Sequence, residues 1–232
     1  MKVEDYEQMN KEQYNDKTIL VVFPHPDDEA FAAAGTLAMY IDGGAKVTYA
    51  CLTLGEMGRN MGIPPFANRV TLPQIRKKEL EESVKAIGIQ DLRMLGFHDK
   101  MVEFEDPQRL EGMIKDLLNE MKPSLVITFY PGYSVHPDHD ATGAAVISVI
   151  SQLPAFQRPT VHCVAFSKNH EQEIGKPDIV MNVEEVIEKK MKAIHAHRSQ
   201  FQAAELVGNQ NINVQQSLQR FGREPFWTYR FE

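Results

Sequence analysis

The stretch "TILVVFPHPDDEA", residues 18–30, decides the fold. Its first six residues form a short apolar run rich in β-branched side chains. A strand with one wet face would alternate apolar and polar residues, so an unbroken run predicts a strand buried on both faces, as in a parallel sheet. The run ends at Pro24. One imidazole and three carboxylates follow at once, on His25, Asp27, Asp28 and Glu29. Charged groups at the end of a buried strand cost desolvation energy unless something pairs with them. The alanine-rich segment beyond predicts a helix from Asp28 to Ile41, stopped by Gly43-Gly44.

Moving outward, KVTYACLTL (46–54), DLRMLGF (91–97), PSLVITFY (123–130), TVHCVAF (160–166), DIVMNV (178–183) and PFWTYRF (225–231) read as further strands. Helices are predicted over 72–88, with Gly88 as C-cap, over 107–122, over 183–201, and along ATGAAVISVISQL at 141–153. Strands alternating with helices mean βαβ units. The expected fold is a three-layer αβα, Rossmann-like domain around a mostly parallel sheet. Ligands in such sheets sit outside the carboxyl ends of the strands. The Gly/Pro/Asn-rich loop at 55–72 is long for a compact domain and is a candidate functional loop, with Met57, Arg59 and Met61 placed to form a lid. Residues 1–17 read as a flexible arm, and 18–232 as a single domain.

Composition narrows the function. The 232 residues are 43% apolar and 25% charged, ordinary for a globular chain, and the net charge of -7 argues against a nucleic-acid binder. Cys51 and Cys163 have no CxxC spacing and lie in apolar stretches, so they read as buried, reduced thiols. The polar N-terminus lacks the apolar core of a signal peptide, and the uncharged stretch Ala30–Ile41 is too short to span a bilayer, which takes roughly 20 residues. A cytoplasmic protein is expected.

Two triplets carry the chemistry. His25-Pro26-Asp27 follows the first strand, and His136-Pro137-Asp138 follows SLVITFY. Each motif offers two donors three residues apart: His25 with Asp28, and His136 with His139. If each proline begins a helical turn, such residues face the same way. A lone histidine at a strand end is most often a hydrogen-bonded loop residue, and a lone Asp28, Glu29 or Asp138 reads as a first-turn carboxylate favoured by the helix dipole. Two such motifs, both after buried strands, point instead to a shared divalent cation. Two histidines and one aspartate suit zinc or another borderline divalent ion, with a place left for water as in catalytic sites. Asp27, beside Asp28, is placed to take a proton from that water.

At these residues the chain resembles the PIG-L/LmbE-like family of metal-dependent N-acetylglucosaminyl deacetylases. The resemblance rests on PHPDDE (24–29), LTLGEMG (52–58), RKKEL (76–80), HPDH (136–139) and AHRSQ (196–200), in family order along nearly the whole chain. Within the family it is similar to the branch that deacetylates the glucosaminyl-malate precursor of bacillithiol. The resemblance implies His25, Asp28 and His139 as metal ligands, holding zinc or ferrous iron, and Asp27 as general base. It implies His136 as oxyanion stabiliser or proton donor to the leaving amine, with Asp138 as its partner. It also implies Arg76, Asp99 and Glu56 as contacts to the sugar or its substituent. The tyrosine that some relatives carry two residues before the second motif is Ser134 here. His197 and Gln200 match the late motif, with structure or substrate contact both open. The implied partner is a small amino-sugar conjugate, without nucleic acid or membrane, and similar proteins form homo-oligomers.

Two other readings remain at this level. One is a metal hydrolase acting on a phosphoester or another amide. The other is a sugar- or metal-binding module without turnover, for which a free carboxylate at Asp27 would have no use. A serine or cysteine nucleophile is disfavoured, since no GxSxG elbow is present and Cys51 lies inside a strand.

Overall fold

The computed structural model describes residues 13–201 and 214–231. The strands are β1 (Thr18–Phe23), β2 (Lys46–Cys51), β3 (Asp91–Met94), β4 (Leu125–Phe129), β5 (Thr160–Val164), β6 (Ile179–Asn182) and β7 (Arg223–Thr228). They form one seven-stranded sheet in the order β3-β2-β1-β4-β5-β7-β6. The first five positions are joined in parallel, while β7 runs antiparallel to both β5 and β6. The antiparallel edge is the one departure from a purely doubly wound sheet.

β1 lies at the centre, and its side chains divide between the two faces. Ile19, Val21 and Phe23 enter one apolar cluster, with Leu37, Leu80, Val84 and Ile194. Leu20 and Val22 enter the other, with Ile114, Leu117, Val146 and Ile150. That two-sided burial is why the run carries no polar alternation. Each fully buried large apolar side chain stabilises the fold by about 1.5–3 kcal/mol. The helices α1 (Asp28–Ala32), α2 (Ala34–Asp42), α3 (Leu72–Ile87) and α7 (Ile187–Ala196) cover the first face. α4 (Pro107–Met121) and α5 (Pro137–Ser151) cover the second. The short helices α6 (His170–Ile174) and α8 (Val214–Phe221) were not expected from the sequence.

The helix expected over Asp28–Ile41 is two helices, broken at Ala33, whose φ is -146°. The second begins where the buried Glu224 carboxylate accepts from the N–H groups of Gly35 (2.9 Å) and Thr36 (2.7 Å). Lys190 neutralises that carboxylate at 2.6 Å. α5 starts at Pro137, earlier than the alanine-rich run suggested, and so includes His139. α7 ends at Ala196, which leaves His197 and Gln200 outside it.

Residues 1–12 of the expected arm lie outside the described residues. Tyr14 packs its ring edge-on against Tyr40 at 4.8 Å, and its N–H donates to Gly43 O at 2.7 Å. Cys51 and Cys163 are buried and free. Among the described residues, no helix is long and apolar enough to cross a membrane.

Candidate metal centre

β1 is flanked by β2 on one side and β4 on the other. The chain order therefore reverses at the β1/β4 junction, where parallel sheets open a crevice beyond their carboxyl ends. His25–Glu29 leave β1 there, and His136–His139 arrive from the loop after β4. Glu56–Arg59 follow β2, and Asp99 and Lys100 follow β3. The cleft between them holds about 310 Å³ and is lined by His25, Asp27, Asp28, His136 and His139 together with Met57, Arg59 and Lys100. A larger hollow of about 630 Å³ opens at the other end of the strands, around Lys46, Gln90 and Asp91. Neither cluster of ligating side chains lies there.

Three donors converge in the cleft. His25 Nδ1 is 3.1 Å from His139 Nε2. Asp28 approaches His139 Nε2 at 3.2 Å and His25 Nδ1 at 3.6 Å. A tetrahedral ion with bonds of about 2.0–2.1 Å sets its donors about 3.3–3.4 Å apart, so the three groups fit the edges of such a site. The outer nitrogens fix which way each ring offers its lone pair. His139 Nδ1 lies 3.0 Å from Ser134 O, a carbonyl that can only accept, so Nδ1 carries the proton. His25 Nε2 faces two carboxylates, Asp138 at 3.1 Å and Asp99 at 3.2 Å, and carries the proton likewise. The inner nitrogens thus face each other across 3.1 Å, an arrangement that holds only with a cation between them, a proton or a metal ion. Phe129 stacks on the His139 ring at 4.0 Å and holds its plane.

The electrostatics follow from these contacts. Burial opposes charge on His25, but hydrogen bonds to Asp138, Asp28 and Asp99 outweigh it and hold its pKa well above the usual value. Burial also opposes charge on Asp28, but His139 and His25 win and keep its carboxyl far below the ordinary range. Asp27 differs. Burial pushes its carboxyl up to about 6, against the pull of Arg76 and with the push of Asp28.

Asp27 occupies the left-handed region at φ 106°, which is costly for a residue with a Cβ. It is the N-cap of α1, yet its side chain makes no capping bond. Its carboxylate instead takes a bond from Arg76 at 2.8 Å. Arg76 is buried and also donates to Pro26 O and to Gly55 O (2.9 Å), and only its Nε lacks a partner among the described residues. Gly55, at φ +61°, is required here, because a Cβ would run into the guanidinium. Arg76 also lines the cleft, where the resemblance implied a sugar contact, with its guanidinium bonded to Asp27 and the main chain.

The second triplet is used differently. Asp138 is fully buried, and its carboxylate takes the N–H groups of Lys100 (2.6 Å) and Val102 (3.2 Å) besides facing His25. It supports His25 rather than His136, the partner implied by the resemblance. His136 stays half-buried in the cleft, and its Nδ1 accepts from Asp138 N–H at 3.1 Å. Burial, then the neighbouring His25 and His139, lower its pKa. In the neutral form its proton must therefore sit on Nε2. Asp99 lines the cleft, but its carboxylate is shared between His25 and Met57 N–H (2.9 Å). Glu56 braces the loop through Asp99 N–H and His98, both at 3.1 Å, and does not line the cleft.

Sequence reasoning gave no role to Glu79 or Ser83 and read Glu29 only as a first-turn carboxylate; all three are buried. Glu79 takes Ser199 N–H (2.7 Å) and Ser199 Oγ (2.6 Å). His197 meets Glu29 at 2.8 Å, which makes it a buried structural partner and not a cleft residue. Gln200 Nε2 donates to Asn60 O at 2.9 Å and fastens the loop after β2. The signal was there in part. Arg76, Glu79 and Ser83 follow helical spacing on α3, a polar stripe on a face that packs inward.

Comparison with known proteins adds to this geometry. The sequence profile described as PIG-L, GlcNAc-PI de-N-acetylase, matches residues 20–150, which contain both triplets. A "Probable N-acetyl-alpha-D-glucosaminyl L-malate deacetylase 2" of Bacillus anthracis is 50% identical over 220 residues, covering 94% of this chain and 97% of that protein. A protein of the same description from Bacillus subtilis is 46% identical over 215 residues, covering 92% and 97%. The solved N,N'-diacetylchitobiose deacetylase from Pyrococcus horikoshii aligns with a TM-score of 0.70 over 99% of this chain and 93% of its own, at 24% identity, and so supports the fold. With the profile spanning β1 to α5 and relatives this similar along nearly their whole length, the chain belongs to the PIG-L family.

Proposed function

We propose that this chain removes the acetyl group from N-acetylglucosaminyl-malate, giving acetate and the free amine, as a cytoplasmic step of bacillithiol synthesis. The observation that carries the reading is the convergence of His25 Nδ1, His139 Nε2 and the Asp28 carboxylate on one point, with a carboxylate beside them that is not needed for ligation. His25, Asp28 and His139 would hold zinc, and ferrous iron accepts the same donors. When bound, such an ion polarises a carbonyl and lowers the pKa of its water towards about 7.

The chain's own groups account for the rest of the reaction. Asp27 takes the proton of the attacking water, aimed by its bond to Arg76. A carboxyl pushed up to about 6 is ionised at neutral pH and still basic enough for that task. His136, with Nδ1 occupied by Asp138 N–H, donates from Nε2 to the acetyl oxygen as negative charge grows there. One positioned donor of this kind is worth roughly 3–4 kcal/mol. The proton held on Asp27 is then available to the departing amine.

Arg59 and Lys100 stand exposed at the rim of the cleft, and neither side chain has a partner among the described residues. They suit the two carboxylates of malate. The test is to supply zinc and measure acetate and phosphate release from N-acetylglucosaminyl-malate, N,N'-diacetylchitobiose and a sugar phosphoester. Acetate from the malate conjugate is expected. Binding without acetate release would leave a sugar-binding module, and phosphate release would favour a phosphoesterase.

A further inference from the structure

Glu29 is completely buried and does not line the cleft, yet it is one residue from a proposed metal ligand and two from the proposed base. Each of its oxygens receives two donors. Oε1 accepts from Ser83 Oγ and from His197 Nε2 at 2.8 Å. Oε2 accepts from Asp27 N–H at 3.0 Å and from Tyr49 OH at 3.3 Å. Four elements thus converge on one carboxylate: α1, β2, α3 and the segment just after α7.

The bond to Asp27 N–H is the informative one. An N-cap aspartate ordinarily folds its carboxylate back onto the first free N–H groups of its helix. Asp27 does not, and its carboxylate is left for Arg76 and the cleft. What remains is half of a capping box, with a glutamate inside the first turn reaching back to the N-cap amide. That bond ties down the amide of a residue held at φ 106°, ψ -27°. Without it the turn could relax out of the left-handed region and swing the carboxylate away. The same glutamate is held by His197, whose Nδ1 is buried without a partner among the described residues, so the ring's one bond goes to Glu29.

We propose that Glu29, braced by His197, is a positioning residue that fixes the turn at Asp27 and thereby aims the base. This rests on Asp27 being the base. Misplacing a reacting group by about 1 Å can cost about 100-fold in rate. Glu29→Ala is therefore expected to lower kcat about 100-fold, with KM within about twofold and bound metal per chain unchanged. Glu29→Gln keeps a carbonyl acceptor for Asp27 N–H, so it should recover most of that loss. In an Asp27→Ala background, Glu29→Ala should cost nothing further in residual rate, because the two act through one group.

A merely structural glutamate would lower the melting temperature or metal content and leave kcat of the surviving protein intact, and that result overturns the proposal. So does a full additional loss in the Asp27→Ala background. If Glu29→Ala does not fold, His197→Gln decides: a fall in kcat with KM and metal unchanged supports the positioning role, and an unchanged kcat overturns it. Full activity in Asp27→Asn would sink the assignment of the base instead. An inactive Asp27→Asn beside a fully active Glu29→Ala would sink the positioning role alone.

Discussion

The two His-Pro-Asp triplets are identical in sequence and opposite in use. In the first, the aspartate is Asp27, left-handed at φ 106°, with its carboxylate lining the cleft. In the second, the aspartate is Asp138, inside the first turn of α5, with its carboxylate buried against His25. The histidines also exchange places. His25, first in its triplet, faces Asp28 and His139, whereas His136 groups with His25, Asp99 and Asp138. The lesson is that a triplet does not fix a role. The backbone beyond the proline does, and here one carboxylate is left facing the cleft while its twin is turned onto His25.

That contrast can be broken in stages. The largest effect is expected from His139→Ala, which removes one of the three converging donors: bound metal by mass spectrometry and acetate release should both vanish. Asp27→Ala should lower turnover about 10²–10⁴-fold while metal content stays at the wild-type level. Asp138→Ala should show the reverse, a metal affinity weakened about 10–100-fold, with activity recovered by excess zinc. If Asp27→Ala and Asp138→Ala behave alike in metal titrations, the two aspartates are not functionally distinct. The smallest effect belongs to the rim. Arg59→Ala and Lys100→Ala should raise KM for the malate conjugate several-fold, more at low than at high salt, and leave KM for an uncharged N-acetyl sugar unchanged.

Much of this was legible in the chain itself. All seven strands were readable, β1, β2, β4 and β5 because burial on both faces leaves short apolar runs, whereas β3, β6 and β7 are only partly buried. The two triplets were readable as donors because charged residues at the ends of such runs need a partner. What stayed hidden depends on contacts between residues far apart in sequence. The break at Ala33 goes with Glu224, 189 residues from Gly35, whose carboxylate caps the second helix. β7 runs antiparallel between β5 and β6, a direction that no local pattern records. The bonds of Arg76 on α3 to Asp27, Pro26 O and Gly55 O stayed hidden because those partners come from two other loops. Glu29 was legible only as a first-turn carboxylate, since Ser83 and His197 meet it from 54 and 168 residues away.

The most direct test of the centre is a titration of the chelated protein with zinc, following bound metal per chain and acetate release from N-acetylglucosaminyl-malate together. Acetate release should climb with added zinc and level off at one equivalent. Full acetate release from protein stripped of metal, or one tightly held ion that survives the joint loss of His25 and His139, would contradict it.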